Sequence, residues 1–362
     1  RSWTSGRNSG TPEGNSLYEA PQAPANAMTR TLLLTCFVLL GNAPALRAQL
    51  VQACLNVDLG AFELPSGMVQ DPSGGFFLVG TVWPDGKDVY PSYAVTARLD
   101  PDGALIEGMH TVHDTEEDGL NAVARTSDNG FVAGGQWQAG VLTSMLVVKF
   151  NSEGDPVWSR SVGEQGSGST YALAIAAAFD GEILAAGARS DLSAHHAPFV
   201  VELDDEGAVN WKLAYQFQGN ASGDATGITR LPDGGSVVSG YHNGEDNSAV
   251  HGWIMRLDST GHVAWSRTTQ AGARFDAVMP APDGGFVFAG SLEGQFGIGG
   301  LYDVLVVKVN ANGEFAWDLV VGTDDTEYAN AITRTLDGGY VVGGAVVSDG
   351  GAQQAYLIKL DH

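Results

Sequence analysis

Cysteine is nearly absent from this chain, with 2 residues among 362. Cys36 lies inside an apolar run, and Cys54 stands well beyond that run. If that run is removed as a signal peptide, Cys54 alone remains and has no partner for a disulfide within the chain. A small fold held together by disulfides is therefore excluded. The stretch VQAC (51–54) has a loose similarity to a lipobox, which leaves lipidation of Cys54 as an alternative to its burial as a small apolar residue.

Basic residues are also scarce, because 18 Lys and Arg stand against 42 Asp and Glu and give a formal net charge of −24. A surface of this sign repels phosphate groups and anionic lipid headgroups. The composition therefore argues against nucleic acid and membrane surfaces as partners. It suits a protein that stays soluble in salt or one that binds cations.

Long hydrophobic runs are limited to MTRTLLLTCFVLLGNAPALRAQ (28–49). A basic residue, a short apolar core and small residues after it are typical of a secretory signal peptide, and the run is short for a transmembrane helix. We therefore predict an upstream or disordered segment over residues 1–27, a signal peptide over 28–48 and one domain over 49–362. The signal predicts a secreted, periplasmic or cell-surface protein.

Common catalytic signatures are missing as well. The chain has no G-x-S-x-G, no H-E-x-x-H and no Walker loop. Helical periodicity is absent throughout, which excludes a helical fold. No catalytic residue can therefore be named from a motif.

What the chain does contain is one pattern repeated about every fifty residues, a period typical of propellers and solenoids. Examples are PDGGSVVSG (232–240), PDGGFVFAG (282–290) and LDGGYVVGG (336–344). The position of the second glycine of this turn, which we call the marker, recurs as Gly75, Gly130, Glu182, Gly235, Gly285 and Gly339. An Asp or Asn ends a later apolar run at Asp100, Asn151, Asp204, Asp258, Asn310 and Asp361. A Trp follows at Trp158, Trp211, Trp265 and Trp317, whereas the first repeat has Glu107.

Each repeat reads as four antiparallel strands joined by tight Gly-rich turns, which is the pattern of one propeller blade. The residue eight positions before each marker is always small (Gly67, Ala122, Ala174, Gly227, Ala277, Ala331). We attribute this to crowding at the central axis, and we expect the apolar residue that follows to pack between blades. The sequence thus predicts an all-β, six-bladed propeller with blades at about 64–118, 119–169, 170–223, 224–274, 275–327 and 328–362.

The sixth repeat ends at His362 without a fourth strand. Upstream of the first blade, LNVDLGAF (55–62) alternates Leu55, Val57 and Leu59 with polar residues. We therefore predict that residues 50–62 complete the last blade and cover its open edge. An open ring or a longer ring is the alternative.

The repeat resembles the bacterial secreted β-propeller repeats of the SBBP type. DGGYVVGG (337–344), LIKLD (357–361) and VVKVNANGEFAW (306–317) carry the resemblance, which extends over about residues 64–362. Glu107 and the turn Asp180-Gly181-Glu182 depart from the pattern. The resemblance implies an exported propeller but supplies no catalytic residues.

Strand order places the longer, more variable loops on one face, which we call the top, and the tight turns on the other, the bottom. The top loops contain the bases Lys87, Arg189 and Arg274. Eight further bases near the bottom turns are expected to pair with turn carboxylates: Arg98, Arg125, Lys149, Arg230, Arg256, Lys308, Arg334 and Lys359.

Two acidic groups in the top loops are candidate Ca²⁺ ligands, because closely spaced carboxylates suit this ion. They are Asp114, Glu116 and Asp118, and Asp324, Asp325 and Glu327. Solvated acidic loops are the alternative. Glu63, Asp118, Asp224 and Glu327 start their blades, and we expect them to act as hydrogen-bond latches to the next blade rather than as a carboxylate ring.

Aromatic residues in or beside the top loops are candidates for ligand stacking: Trp83, Tyr90, Trp137 and Tyr241. The leading hypothesis is a monomeric binding or adhesion module for a glycan, a peptide or a cell-surface protein, with possible help from Ca²⁺. One alternative is an enzyme with a site at the axial mouth, such as a polysaccharide hydrolase or lyase or a quinone-dependent dehydrogenase. Another is a structural module of a larger surface assembly.

Overall fold

The computed structural model describes residues 62–83, 92–111, 118–139, 142–163, 168–178, 180–191, 195–217, 221–244, 249–293, 302–348 and 353–361. These residues form 23 β-strands and no helix. In this part of the chain no helix is long and apolar enough to cross a membrane. The signal peptide predicted over 28–48 and the segment 50–61 lie outside the described residues.

The strands follow one another along the chain, four to a blade in blades 1 to 5 and three in blade 6 among the described residues. Blades 1 to 3 consist of β1 (Phe62–Gln70), β2 (Phe76–Trp83), β3 (Tyr93–Leu99), β4 (Leu105–Thr111), β5 (Asp118–Arg125), β6 (Phe131–Ala139), β7 (Leu142–Phe150), β8 (Pro156–Val162), β9 (Thr170–Ala177), β10 (Ile183–Ser190), β11 (His196–Leu203) and β12 (Val209–Ala214). Blades 4 to 6 consist of β13 (Gly223–Arg230), β14 (Ser236–Asn243), β15 (Val250–Leu257), β16 (Val263–Ala271), β17 (Ala273–Pro280), β18 (Phe286–Glu293), β19 (Tyr302–Val309), β20 (Phe315–Val321), β21 (Thr326–Arg334), β22 (Tyr340–Val347) and β23 (Gln353–Leu360).

Each sheet is antiparallel and pairs its strands in chain order. Five sheets contain four strands, and the sixth contains β21, β22 and β23 among the described residues. The arrangement is a six-bladed β-propeller, so the predicted fold class is confirmed. The strand predicted to complete blade 6 stays a prediction, because residues 50–61 are outside the described part.

Burial between blades provides the core. Five clusters of buried side chains each join two consecutive blades, from blades 1 and 2 through blades 5 and 6. In the cluster between blades 1 and 2, Phe77 of β2 stacks on Phe131 of β6 with ring centroids 4.3 Å apart. A smaller cluster of Leu78, Ala97 and Leu99 lies on blade 1 alone.

The faces that would join blade 6 to blade 1 are exposed in the described part of the chain. Leu357 of β23 is 48% exposed and Met68 of β1 is 58% exposed. Met68 occupies the position at which Ile175 and Ile228 pack between blades, as predicted. These residues therefore mark the joint between blades 6 and 1, at which the described residues leave apolar side chains uncovered.

The small residue on the inner strand has close neighbours in two of the blades. A Cβ on Gly67 would lie 3.2 Å from the backbone N of Val123, on the inner strand of the following blade. One on Gly227 would lie 2.5 Å from Oγ of Ser239 in its own blade and 3.3 Å from the Cα of Ala277 on the next inner strand. Close packing on the inner strands therefore limits the size of this residue in these two blades, and the crowding predicted at the axis stays a prediction.

The two glycines of the DGG turn are needed for different reasons. The first adopts positive φ, as at Gly234 with φ 81°, and Asn129 takes this role in blade 2 with φ 68°. The second has no room for a side chain, because a Cβ on Gly235 would lie 2.5 Å from the carbonyl O of Leu257. Glu182, which replaces this second glycine in blade 3, forms an ion pair with Arg230 of blade 4.

The strand-four tryptophans hold neighbouring blades together at the bottom. The indole Nε1 of Trp158 donates to the carbonyl O of Asp205 at 2.9 Å, and that of Trp265 donates to Ala311 O at 3.2 Å. Both acceptors lie in the D-x-x-G turn of the following blade. Trp317 of blade 5 has no described turn against it and is 38% exposed.

Most bottom bases pair with turn carboxylates, as expected. The ion-pair distances are 3.3 Å for Arg98–Asp71, 2.8 Å for Lys149–Asp128, 2.6 Å for Lys308–Asp283 and 2.9 Å for Lys359–Asp337, and Arg256 pairs with Asp233. Arg125 differs, because its guanidinium donates to the side-chain amide oxygen of Asn129 at 2.9 Å. The bottom face therefore neutralises much of its own charge.

Every inner strand contains one bulged residue that the pairing register skips: Ser66, Asn121, Leu173, Thr226, Asp276 and Asn330. Asn121 donates from Nδ2 to Ala172 O of the next blade at 2.8 Å, and Thr226 donates in the same way to Phe275 O. Asp276 cannot donate when ionised. Burial raises the pKa of Asp276 to about 6, although Arg274 opposes this rise.

We predict that Val57→Asp lowers the free energy of unfolding by about 2 kcal/mol or more, because it places a charge on the apolar face of the closing strand. Asn56→Asp adds the same charge on the opposite face and is expected to change stability by less than about 0.5 kcal/mol. Urea unfolding of the two variants measures the difference. Equal effects would refute the closing strand.

Asp276→Asn is expected to stabilise the protein by about 1–3 kcal/mol at pH 7. The raised pKa means that the folded protein holds this proton more tightly than the unfolded chain, so this residue's contribution to stability is lost as pH rises from about 4 through 6. The advantage of the variant should therefore be small at pH 4 and constant above pH 7, as measured by urea unfolding across this range.

Asp283→Asn is the control, because the hydrogen bond from Lys308 lowers the pKa of Asp283. Its contribution to stability is present at neutral pH and is lost as pH falls, so the substitution should destabilise at pH 7. The same pH trend in both variants would contradict the role given to Asp276.

Candidate functional site

The predicted aromatic residues that the structure describes belong to blades 1, 2 and 4. Trp83 ends β2 of blade 1, and Trp137 lies near the end of β6 of blade 2. Both are half-buried, and Trp137 packs against the core between these blades. Tyr90 lies outside the described residues. Tyr241, on β14 of blade 4, belongs to the cluster described below.

The structure describes four of the six acidic residues proposed as Ca²⁺ ligands. Asp114 and Glu116 are outside the described residues. Asp118 is 1% exposed, and its Oδ1 accepts from the backbone N of Ala94 at 2.5 Å. It is therefore a latch, as expected for its position, but it fastens blade 2 to the preceding blade rather than to the next one.

Glu327 lies at the start of blade 6 and is fully buried. Thr323 donates its hydroxyl hydrogen to Oε1 of Glu327, and Asp324 and Asp325 lie in the turn between these two residues. Burial, together with the charges of Asp303 and Asp325, raises the pKa of Glu327. Among the described residues, no group of three or more His, Cys, Asp or Glu is arranged to hold a metal ion. The calcium hypothesis stays a prediction.

A polar cluster does form at the top, around the carboxylate of Asp224. Tyr171 donates its hydroxyl hydrogen to Oδ1 at 3.1 Å, and Tyr241 donates to Oδ2 at 2.7 Å. The Nδ1 atom of His196 lies 3.0 Å from Oδ1 and 2.9 Å from the hydroxyl of Tyr171. Asp224 thus ties β9 and β11 of blade 3 to β13 and β14 of blade 4.

The contact with Asp224 indicates which ring nitrogen of His196 carries a proton. An ionised carboxylate only accepts, so Nδ1 carries the proton that it shares with Asp224. The Nε2 atom is then an acceptor in the neutral ring and a donor in the charged one. The side chain of His196 is 35% exposed, while that of Asp224 is 10% exposed. The carboxylate is an internal support, and the imidazole is the part that a ligand can reach.

The two tyrosines keep their protons. Burial and the nearby charge of Asp224 raise the pKa of Tyr171 well above its usual range. Burial and the hydrogen bond to Asp224 raise the pKa of Tyr241 to about 12. Both hydroxyls therefore act as donors, and neither is suited to act as a base at neutral pH.

Arg274 extends the cluster to a third blade. It lies at the start of β17 in blade 5, and its guanidinium carbon is 3.9 Å from the centroid of the Tyr241 ring. This is the geometry of a cation–π contact. Because inner strands begin at the top, these side chains share one end of the propeller. We call Tyr171, His196, Asp224, Tyr241 and Arg274 the mouth cluster.

Three members of the mouth cluster occupy one position of the repeat. Tyr171, Asp224 and Arg274 each lie eleven residues before their markers, in three consecutive blades. Their equivalents in the other blades are Leu64, Gly119 and Tyr328. The repeat thus carries polar side chains at this position in blades 3 to 6 and apolar or no side chains in blades 1 and 2.

Sequence reasoning missed this cluster as a unit. It counted Arg274 among the top bases, expected Asp224 to be a backbone latch and gave Tyr171 no role. Alignment of the repeats on their markers would have placed Tyr171, Asp224 and Arg274 at the same position of the inner strand. His196 would still have been missed, because it belongs to a different strand and reaches Asp224 only through the packing of blade 3 on blade 4.

A groove lies on the flank between blades 3 and 4, with a volume of about 380 Å³. Tyr215, Phe217, Trp253 and Met255 form part of its wall. Phe217 also stacks on His242 with ring centroids 4.3 Å apart, and His242 follows Tyr241 along β14.

No family model matches the chain, and no curated protein matches it, so the resemblance to SBBP-type repeats stays a prediction. Solved structures similar to it include polysaccharide lyase Uly1, at 11% identity over 81% of this chain and 76% of that one, with a TM-score of 0.48. Sqt1 from Chaetomium thermophilum is 12% identical over 83% and 72% of the two chains, with a TM-score of 0.46. A member of the DUF4221 family from Bacteroides vulgatus is 12% identical over 77% and 87%, with a TM-score of 0.42. These similarities concern the fold alone, and no function is carried over from them.

Proposed function

We propose that this protein is an exported binding module that takes a hydroxyl-rich ligand, a glycan, at the mouth cluster. The observation that supports this is the set of side chains from consecutive blades organised around the buried carboxylate of Asp224. Export rests on the signal-peptide pattern over residues 28–48. A peptide or a cell-surface protein would be the partner if glycans fail to bind.

The mouth cluster is suited to binding because its groups are fixed before a ligand arrives. Asp224 orients His196 and both tyrosines, and Tyr241 in turn supports Arg274. Fixed side chains lose little conformational entropy on binding. Sugar hydroxyls both donate and accept, so they match the Nε2 atom of His196 in either protonation state and the guanidinium donors of Arg274.

An enzyme is the second candidate, and the pair His196–Asp224 favours it. A carboxylate on Nδ1 holds an imidazole in the orientation that general acid–base catalysis through Nε2 requires. The tyrosines keep their protons, which leaves His196 as the group for proton transfer. A polysaccharide hydrolase or lyase would use this arrangement on the same class of ligand, and the appearance of shortened oligosaccharides would reveal it.

Asp224→Asn is expected to weaken glycan binding at least about tenfold, because the amide removes the charge that accepts from Tyr171, Tyr241 and His196. A panel of immobilised neutral and acidic oligosaccharides identifies the bound glycan, and titration calorimetry then compares the variants. Asp318→Asn on the exposed outer strand β20 is the matched control and should bind as the native protein does.

Thermal unfolding of both variants ensures that weakened binding does not come from loss of the fold. Failure of every oligosaccharide to bind would overturn the proposal. Equal binding by the native protein and the Asp224→Asn variant would place the site elsewhere.

A further inference from the structure

Three arginines stack on aromatic rings in the described part of this protein, and one of them differs from the other two. Arg160 lies 5.5 Å from the ring centroid of Trp158, and Arg267 lies 5.8 Å from that of Trp265. Arg160 donates to Gly207 O at 3.2 Å, and Arg267 donates to Asn312 O at 3.2 Å. Both of these guanidinium groups thus form hydrogen bonds that join neighbouring blades.

Arg274 has the closest stacking of the three, at 3.9 Å over Tyr241. Its guanidinium makes no hydrogen bond and no ion pair with the residues that the structure describes. Most bottom bases, in contrast, are paired with turn carboxylates. Arg274 is therefore a half-buried cation whose position is fixed by its neighbours and whose N–H donors are available.

The support beneath Arg274 is built from several layers. Its guanidinium lies over the Tyr241 ring, the Tyr241 hydroxyl is bonded to Asp224, and Asp224 is held by Tyr171 and His196. A guanidinium presents parallel N–H donors that match the two oxygens of a carboxylate. Holding the guanidinium in place before the ligand arrives favours this two-point contact over contact with a single hydroxyl.

We propose that Arg274 anchors a carboxylate of the ligand, so that the mouth cluster takes an acidic glycan that presents a uronic acid residue. This inference rests on the proposed glycan-binding function and narrows it to one class of sugar. His196 and the tyrosines then face the ring hydroxyls of the same residue.

The acidity of the protein limits the kind of ligand. A formal net charge of −24 repels a polyanion at a distance. At physiological salt this repulsion is screened beyond about 8 Å, so an isolated carboxylate close to Arg274 is governed by its immediate neighbours. Among these, Asp224 is already bonded to three side chains, whereas Asp276, whose pKa burial raises to about 6, is still charged at pH 7 and offsets part of the charge of Arg274. The site thus suits a sparsely charged glycan.

The test compares methyl β-D-glucuronoside with methyl β-D-glucoside, which differ only in a carboxylate in place of a hydroxymethyl group. Binding is followed by NMR titration at pH 7 in 150 mM NaCl, using the whole chain from residue 49. We expect the glucuronoside to bind at least about tenfold more tightly than the glucoside. Added salt should weaken the first and leave the second unchanged.

Variants of Arg274 test whether this side chain causes the difference in affinity between the two glycosides. Arg274→Gln should reduce binding of the glucuronoside to the level of the glucoside. Arg274→Lys keeps the charge but loses the planar fork, so intermediate affinity is expected. Arg160→Gln removes another arginine that lies over an aromatic ring, on the outer strand β8, and should bind as the native protein does. Arg274→Lys decides the question if Arg274→Gln does not fold.

The outcomes separate this inference from the function on which it rests. Equal binding of the two glycosides, with both weakened by Asp224→Asn, would overturn the carboxylate anchor and leave glycan binding in place. A preference for the glucuronoside that survives in both Arg274 variants would also overturn it. Failure of both glycosides and of the oligosaccharide panel would refute the glycan-binding function itself.

Discussion

Burial of side chains between consecutive blades is the interaction on which the rest of this structure depends. A single four-stranded sheet has two apolar faces and cannot cover either by itself. Each of the five described joints covers one face of one blade with one face of the next, as in the stacking of Phe77 on Phe131. The same stacking brings the starts of the inner strands to one end of the propeller, where the mouth cluster lies.

The blade joints also explain many of the polar residues. Glu182 departs from the turn pattern in its own blade, yet it pairs with Arg230 of the following blade. Asp118 accepts a backbone hydrogen bond from the preceding blade. Trp158 and Trp265 donate to the turn of the blade that follows each of them. The role of each of these residues is thus explained by its partner in the neighbouring blade rather than by its own repeat.

The mouth cluster shows how a repeat protein can gain a distinct site without changing its fold. The repeat position of Tyr171, Asp224 and Arg274 lies near the start of the inner strand, and its residue type differs from blade to blade. Substitution at this position in consecutive blades places a donor, an acceptor and a cation side by side. His196 and Tyr241 then complete a hydrogen-bond set that no single blade contains.

The sequence by itself determined the number of blades, the order of strands and most pairs between bottom bases and turn carboxylates. These features are local, or they recur at a fixed spacing that the pattern of Gly, Asp and Trp displays directly. Only the tertiary structure decided why Gly67 and Gly227 are small, which blade Asp118 fastens, and that His196 meets Asp224. These contacts cross from one blade to the next, and their partners are set by how two sheets pack rather than by their separation along the chain. Arg160 and Arg267 form hydrogen bonds to a turn of the next blade, whereas Arg274 forms none with the described residues. This difference likewise depends on where the neighbouring turn lies. For this reason the fold could be predicted from one chain, whereas the candidate site required the blades to be assembled.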